Sequence, residues 1–265
     1  MSELKNKAQA FRALHVPGTP LVLFNIWDPG SAKAATAAGA RAIATGSWSV
    51  AAANGFSDGE HIPLNLAIDN LTRIVAATVL PVSVDLESGY GKAAAEVGQT
   101  IGRAIAAGAV GCNLEDSFPE NGKLREVAEQ TQRLRHARSA AEAAGIPYFI
   151  NARTDVFFQK PPQQHDEAML REAIDRARAY ADAGADGIFA PGLVDQALIA
   201  RLAAALSLPL NIMADAGSPA LKALAEVGVA RVSHGPGPYL QTMKMLEQIA
   251  RAAMGAGTGE AARMP

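Results

Sequence analysis

The hydrophobic pattern of the chain is an alternation of short apolar runs with alanine-rich stretches of helical period. Eight of the apolar runs have the length and composition of buried strands. They cover residues 21–27, 40–46, 80–86, 109–115, 146–152, 187–191, 208–213 and 230–234. The stretches between them are long enough for helices, so the pattern predicts eight consecutive β/α units.

Glycine marks the junction between helix and strand in five of these units. The five are Gly39, Gly108, Gly145, Gly184 and Gly228. Glycine there ends a helix in the left-handed conformation, and the chain turns directly into the next strand. Short turns and near-continuous apolar strands favour an α/β fold, a closed parallel (β/α)8 barrel of the TIM type. An open doubly wound sheet is the alternative, but residues 28–31 after the first strand form no dinucleotide fingerprint.

A further helix is predicted at each end of the chain, outside the eight β/α units. Residues 3–14 are predicted to form a helix that closes the bottom of the barrel, and residues 239–254 to form an apolar final helix. The small and polar residues 255–265 are expected to be a flexible tail. No linker interrupts the alternation, so residues 1–265 are predicted to be one domain.

Composition narrows the class of protein. The 265 residues are 49% hydrophobic and carry a formal net charge of −2, with Lys and Arg spread along the chain. This gives no sign of a nucleic-acid-binding face, and no apolar run approaches the ~20 residues of a membrane span. The only cysteine, Cys112, excludes an internal disulfide and fits a reducing compartment. We therefore expect a cytoplasmic protein with a small-molecule ligand.

Two acidic residues stand at the end of the third predicted strand. Alternation along a strand puts Ser83, Asp85 and Glu87 on one face and apolar residues on the other. Two carboxylates on one face repel each other and are costly to desolvate unless a cation or hydrogen-bond donors compensate them. Mg²⁺ is the simplest compensation. The alternative is a solvated strand end whose acids cap the next helix.

Further polar residues stand at the carboxyl ends of the other strands, which meet at the rim where barrel enzymes place their chemistry. They are Gly46, Ser47 and Trp48 with Asp58 in the following loop, Asn113 and Glu115, Asn151 and Arg153, Asn211, and Ser233 with His234. Alternation places Asn113 and Glu115 on one face, and Asn151 and Arg153 on one face. We expect these side chains to converge.

The acids among these residues are the predicted metal ligands. They are Asp58, Asp85, Glu87 and Glu115. Because Mg²⁺ keeps several waters, some of them would bind through water, and Glu115 and Asp58 would order those waters in catalysis.

Arg153 and the 46–48 turn are the predicted binding groups for a small dianionic oxo acid. Arg153 is also a predicted catalytic residue, and Asn113 and Asn211 are further substrate-binding candidates. The alternative for Arg153 is a salt bridge to Glu115 or Glu87 that only holds the rim together.

Taken jointly, these segments resemble the isocitrate lyase/phosphoenolpyruvate mutase superfamily over residues 24–240. The carriers are segments 25–28 and 30–32, the turn 46–48, Asp58, the run 85–91, segments 113–116 and 151–153, and the pair 191–192. Their joint order and spacing make the resemblance specific. It implies an α/β barrel whose final helix is often exchanged between subunits, giving a dimer or tetramer.

The resemblance also implies roles for individual residues. Asp85 would be the main protein contact of Mg²⁺, and the other three acids would bind through water. The amides of Ser47 and Trp48 and the side chain of Arg153 would hold the carboxylate of a 2-oxo acid. Members of the superfamily cleave or rearrange C–C or P–C bonds through a metal-bound enolate.

The loop after the fourth strand departs from this resemblance. The lyases for isocitrate and methylisocitrate carry an acid/base cysteine there, whereas residues 116–124 contain neither Cys nor His. Cys112 precedes the loop and is expected to be a small buried residue that faces the helices. The longer gate of the phosphonopyruvate mutases is also missing. We expect residues 117–125 to be mobile without ligand and to close over one.

Three functions remain open. The first is a Mg²⁺-dependent lyase, decarboxylase or hydrolase that cleaves a C–C bond in a small 2-oxo or 2-hydroxy carboxylic acid. The second is P–C bond chemistry of the phosphonopyruvate hydrolase or mutase type, and the third is a non-catalytic 2-oxo acid binder. The candidates for the general acid or base are His61, His234, Tyr90 and Lys123.

Overall fold

Eight parallel strands pair in sequence order, and the last returns to pair with the first, which closes a barrel. The structure, a computed structural model, describes residues 2–215 and 217–255. The strands are β1 Leu21–Ile26, β2 Ile43–Thr45, β3 Val82–Asp85, β4 Gly111–Glu115, β5 Phe149–Arg153, β6 Gly187–Phe189, β7 Leu210–Met213 and β8 Arg231–Ser233. The predicted (β/α)8 barrel is confirmed.

Helices follow the strands and cover most of the barrel. They are α1 Ser2–Ala13, α2 Pro29–Ala37, α3 Ser47–Ala53, α4 Leu64–Ala76, α5 Ala94–Ala106, α6 Val127–Ala143, α7 Glu167–Asp182, α8 Gln196–Ala205, α9 Leu221–Glu226 and α10 Gly237–Gly255. Two short 3-10 helices, Val156–Phe158 and Pro162–Gln164, follow β5. Within the described residues, no helix has the length and hydropathy needed to cross a membrane.

The predicted helix-ending glycines all adopt the left-handed conformation. Their φ angles are 89° at Gly39, 97° at Gly108, 67° at Gly145, 100° at Gly184 and 87° at Gly228. At Gly108 an added Cβ would lie 2.7 Å from a methyl group of Val75, so a larger residue would disturb α4 as well as the turn.

The strands are shorter than the apolar runs that predicted them. In the second unit only Ile43–Thr45 pairs, although residues 40–46 were predicted, because the residues after Gly39 first turn toward the sheet. The third strand ends at Asp85, because Glu87 has a φ of 51° and leaves the extended conformation. Apolar composition therefore marks burial, whereas the hydrogen-bonded ladder covers only part of each run.

The amino end of the barrel is closed by α1 and the residues after it, as predicted. His15 stacks on Phe149 with ring centroids 4.0 Å apart, and Phe11 packs edge-on to both rings. Nearby, Asp186 forms ion pairs with Arg12 and Arg138. This end is thus filled by aromatic rings and by a carboxylate with two cationic partners.

The final helix, α10, leaves part of the barrel wall uncovered. None of its residues is buried, although Tyr239 packs edge-on to Trp27 and Trp48. On β1, the outward side chains of Val22 and Phe24 are 39% and 40% exposed, and they line an apolar groove of about 960 Å³. Apart from Gly255, which ends α10, the predicted tail 255–265 lies outside the described residues.

Candidate active site

A small pocket of about 220 Å³ opens at the carboxyl ends of the strands. Its walls are formed by Asn25, Gly46, Ser47, Trp48, Asp58, Asp85, Asn113, Arg153, Phe158, Phe189, Pro191, Met213, Ser233, Gly235 and Pro236. Seven of the ten predicted site residues line it. The three that do not are Glu87, Glu115 and Asn211.

Asp85 is the last residue of β3, and its position is fixed by the neighbouring turn. Its amide donates to the Thr45 hydroxyl at 2.9 Å, and its Oδ2 accepts the amide of Ser47 at 3.3 Å. Ser47 begins α3, where amides have no carbonyl partner within the helix. The carboxylate and a helix-terminal amide therefore face each other at the pocket.

Asp58 brings a second carboxylate to the pocket from the loop after α3. Although the residue is exposed on its loop, partial burial of its carboxylate and the charge of Asp85 raise its pKa. A hydrogen bond with the Ser47 side chain opposes this rise. An acid whose ionisation is hindered by a neighbouring carboxylate favours a cation between the two.

Glu87 does not share the face of Asp85 as strand alternation predicted, because the strand has already ended. Its Oε2 accepts the amides of Gly59 at 2.7 Å and Glu60 at 2.6 Å, and its Oε1 accepts the hydroxyl of Tyr90 at 3.1 Å. Burial, followed by the charge of Asp58, raises the pKa of Glu87 to about 7. Through these hydrogen bonds the carboxylate of Glu87 holds the loop that carries Asp58 in place. The role of Glu87 as a metal ligand stays a prediction.

A second acid of the same loop reinforces this connection. Glu60 Oε1 accepts the Ser88 hydroxyl at 2.7 Å and the amide of Tyr90 at 2.9 Å. Arg125, at the end of the loop after β4, donates to the Ser88 hydroxyl at 3.4 Å. Three loops around the pocket are therefore linked through polar side chains.

Arg153 lines the pocket and also forms the salt bridge considered as its alternative role. Its Nη1 lies 2.7 Å from Glu115 Oε2, and its Nε donates to Asp155 Oδ1 at 2.6 Å. Burial alone would lower its pKa, but Asp155 and Glu115 raise it. Burial raises the pKa of Glu115, and Arg153 opposes that rise. The rings of Phe158 and Phe189 lie 5.6 and 6.0 Å from the guanidinium.

The predicted acid/base candidates lie outside the pocket lining. His61 contacts the carbonyl of Asp58 at 2.8 Å from an exposed loop position, and the Tyr90 hydroxyl is engaged by Glu87. The amide of His234 donates to Asn25, and Lys123 is exposed. An acid/base role for any of the four stays a prediction.

The loop after β4 forms a short hairpin. Ser117 and Leu124 pair as a bridge, the amide of Phe118 donates to the carbonyl of Lys123 at 2.8 Å, and Arg125 stacks on the Phe118 ring at 4.0 Å. That the loop is mobile without ligand stays a prediction. Cys112 is fully buried in β4, as expected, and burial raises the pKa of its thiol to about 12.

The acidic cluster fits a hydrated cation better than a closed metal cage. Burial raises the pKa values of Asp58, Glu87 and Glu115, and the charge of Asp85 adds to each of these rises. Yet within the described residues no three His, Cys, Asp or Glu side chains are grouped tightly enough to hold a metal directly. Mg²⁺ is commonly bound by one or two carboxylates and several waters, which agrees with this arrangement.

Several residues of the site were not anticipated from the sequence. Asp155 is the main partner of Arg153, Thr45 anchors Asp85, and Glu60 fastens the Asp58 loop. Of these three, only Asp155 could have been found from the sequence, because it stands two residues after Arg153, just beyond a strand. Thr45 and Glu60 act across loops whose conformation no local pattern specifies.

Most of the chain is similar to known proteins. The profile of the phosphoenolpyruvate phosphomutase family matches residues 11–254. A Burkholderia cenocepacia structure provisionally named a phosphonomutase is 57% identical, with a TM-score of 0.92, over 94% of this chain and 99% of the other.

Two relatives carry names of specific enzymes. An oxaloacetate decarboxylase of Pseudomonas fluorescens is 32% identical over 88% of this chain and 80% of its own length. A 2-methylisocitrate lyase of Salmonella typhimurium is 29% identical over 78% of this chain and 70% of its own length.

Proposed function

Because the chain belongs to the phosphoenolpyruvate phosphomutase family, within the isocitrate lyase/phosphoenolpyruvate mutase superfamily, we propose that it is a Mg²⁺-dependent carbon–carbon lyase. Its substrate is a small 2-oxo or 2-hydroxy carboxylic acid. The observation that carries this proposal is the meeting of Asp85, the Ser47 amide and Arg153 in one pocket of about 220 Å³.

The residues present fit a bound Mg²⁺. Asp85 would hold the ion directly, and Asp58 would bind through water from the facing loop. When bound, the ion supplies a Lewis acid for negative charge that develops on a substrate oxygen. The Ser47 amide and the Arg153 guanidinium bind and orient the substrate carboxylate.

The apolar part of the pocket has a separate task. Its apolar lining includes Phe158, Phe189, Pro191 and Met213, and the rings of the two phenylalanines lie near Arg153. They exclude water from the acid and strengthen its interaction with the guanidinium, since charges attract more strongly in a medium of low dielectric constant.

A phosphonate substrate is less well supported. Among the described residues, Arg153 is the only Lys or Arg side chain in the pocket lining, and it is already shared by Glu115 and Asp155. A phosphonate adds up to two negative charges to the carboxylate, and these would need further donors or cations. C–C bond cleavage requires no such additional site.

Turnover of a small panel tests the proposal. Oxaloacetate, methylisocitrate, dimethylmalate and phosphonopyruvate each yield pyruvate on cleavage or hydrolysis, so one coupled assay follows all four. We expect Mg²⁺-dependent pyruvate release from one of the first three, abolished by EDTA. Release from phosphonopyruvate alone would favour the P–C alternative. Oxalate binding without turnover of any acid would identify a non-catalytic binder.

We also propose that the chain forms a homo-oligomer through α10. This helix exposes Leu240, Met245, Leu246 and Ile249, each about half accessible, while Val22 and Phe24 lack a covering helix. A second copy of α10 in the groove beside β1 would bury both surfaces at once. The number of subunits, two or four, is part of the same prediction.

Sedimentation analysis distinguishes an oligomer from a monomer. Leu246→Glu places a charge in the proposed contact and is expected to shift the protein toward monomer. Gln248→Glu adds the same charge at an exposed polar position of α10 and serves as the control. A monomeric unaltered protein at micromolar concentration would exclude the proposed exchange.

A further inference from the structure

Arg231 is a fully buried cation inside the barrel. It begins β8, and its side chain extends through the interior until Nη2 donates to Oδ1 of Asn113 at 3.1 Å. Its Nε and Nη1 have no hydrogen-bond partner among the described residues. Burying a guanidinium with most of its donors unpaired is unfavourable, so its one contact requires a reason.

The contact belongs to a chain of amide side chains. Asn113 Oδ1 accepts a second hydrogen bond from Asn151 Nδ2 at 2.9 Å. Asn151 Nδ2 also donates to Asn211 Oδ1 at 3.1 Å. Asn211 Nδ2 then donates to the carbonyls of Ile212 at 3.0 Å and Arg231 at 3.2 Å.

The chemistry at the two ends of this chain fixes its direction. A guanidinium can only donate hydrogen bonds, so the atom of Asn113 that meets Arg231 has to be its oxygen. A carbonyl can only accept, so Asn211 has to present its amide nitrogen to Ile212 and Arg231. Between these ends, Asn151 can satisfy both neighbours only by donating. No amide in the chain can rotate by 180° without placing two donors or two acceptors together.

We propose that Arg231 is a positioning residue that directs the Nδ2 amide of Asn113 into the pocket as a donor to the bound acid. Asn113 lines the pocket, and its Oδ1 is fully occupied by Asn151 and Arg231. The remaining polar atom of its side chain is Nδ2, which would bind an anionic oxygen. This inference rests on the proposed function only for the identity of that ligand.

Arg231 is expected to affect metal binding in the opposite direction from acid binding, because it lies beneath the acidic side chains. Burial lowers the pKa of Arg231 to about 9, and the charge of Asp85 opposes that fall, so the two groups attract each other across the barrel. Replacing the arginine with a neutral residue would remove a positive charge near the predicted metal ligand. Mg²⁺ affinity is then expected to stay the same or rise, while affinity for the acid falls.

Calorimetric titration of the full chain separates these effects, with Mg²⁺ alone and with oxalate in saturating Mg²⁺ as the probes. In Arg231→Met we expect oxalate affinity to fall by about tenfold or more, the usual size for a lost hydrogen bond to a charged group. Arg231→Lys retains a donor and a charge and should recover most of the affinity. A damaged site would instead lose Mg²⁺ and oxalate together.

A double-mutant cycle tests whether Arg231 acts through Asn113. Asn113→Ala should lower oxalate affinity to a similar extent, and adding Arg231→Met to it should cause little further loss. Equal losses from Arg231→Met in both backgrounds would overturn the proposal, as would unchanged affinity in Arg231→Met.

Two controls keep the outcomes distinct. Arg138→Met makes the same chemical change at the amino end of the barrel, where it should lower the unfolding temperature without changing oxalate affinity. An unaltered protein that binds neither Mg²⁺ nor oxalate would contradict the proposed function itself. Failure of the positioning role alone would appear only in the variants.

Discussion

Buried charges are compensated differently at the two ends of the barrel. At the amino end, the carboxylate of Asp186 has two cationic partners, Arg12 and Arg138, and also accepts the amide of Ile150 at 2.8 Å. At the carboxyl end, Arg153 is shared between the two buried carboxylates of Glu115 and Asp155, and no Lys or Arg among the described residues forms an ion pair with Asp58 or Asp85.

This difference separates stability from function within one fold. The charges at the amino end are paired within the protein and the aromatic rings there are stacked, so both contribute to the stability of the fold. Uncompensated acids at the carboxyl end destabilise the empty site but favour a cation, as expected where barrel enzymes carry their chemistry. Substitutions at the two ends should therefore affect different measurements.

The largest expected effect is on turnover in Asp85→Ala. Loss of the direct metal contact should lower kcat by at least about two orders of magnitude, since electrostatic stabilisation of the transition state is lost. The unfolding temperature of the metal-free protein should change little, because repulsion with Asp58 and attraction to Arg231 are removed together. Activity within about threefold of the unaltered protein would refute the metal role.

The matching change at the other end is Asp186→Ala. It leaves Arg12 and Arg138 without their shared partner and the amide of Ile150 without an acceptor. We expect a loss of about 3 kcal/mol in the free energy of unfolding, measured by urea denaturation. Turnover at a temperature where the variant is folded should be unchanged, and a large fall in kcat would contradict the separation of the two ends.

The pH dependence of stability should come partly from His15 at the amino end. Burial, followed by the charge of Arg231, lowers its pKa from 6.5 to about 3. Between those values the unfolded chain binds a proton that the folded protein does not, so the free energy of unfolding falls as the pH is lowered.

By pH 5 this contribution should amount to about 2 kcal/mol relative to neutral pH. His15→Gln should flatten the slope of urea stability between pH 7 and 5. His136→Gln, an exposed histidine on α6, is the control and should leave the slope as it is. Equal slopes in His15→Gln and the unaltered protein would show that His15 is protonated in the folded state.

The smallest expected effect concerns the hairpin after β4. If residues 117–125 open without ligand and close over one, Mg²⁺ with oxalate should slow proteolytic cleavage there by a few-fold. Cleavage at Lys123 by trypsin, followed by mass spectrometry, reports on this segment. Identical cleavage rates with and without the ligands would show that the hairpin does not respond to them.

The architecture could be predicted from sequence because each unit repeats the same local signals. The turn glycines and the alternating apolar runs act over a few residues, and all eight strands appeared in the predicted order. Alternation also placed Asn113, Arg153 and Asp85 correctly, since these residues lie within strands. Glu115 and Asn211 also lie within strands, but neither lines the pocket, so period two did not by itself identify the pocket residues.

The same rule was wrong for Glu87, which lies beyond a strand end and takes a left-handed conformation. Its partners Gly59 and Glu60 come from a loop, 28 and 27 residues away in sequence respectively. Arg231 was overlooked for a related reason, because its contact with Asn113 spans 118 residues. Long-range polar contacts depend on how loops and barrel layers meet, and no local pattern records that.

The burial of Cys112 has a consequence for the environments in which this enzyme can work. Its thiol is inaccessible and, with a pKa of about 12, almost wholly protonated at neutral pH, so it is a poor target for peroxide or alkylating agents. No other thiol exists in the chain. We therefore expect turnover to be insensitive to thiol oxidation, and iodoacetamide should leave it intact where it would inactivate a lyase that relies on a loop cysteine.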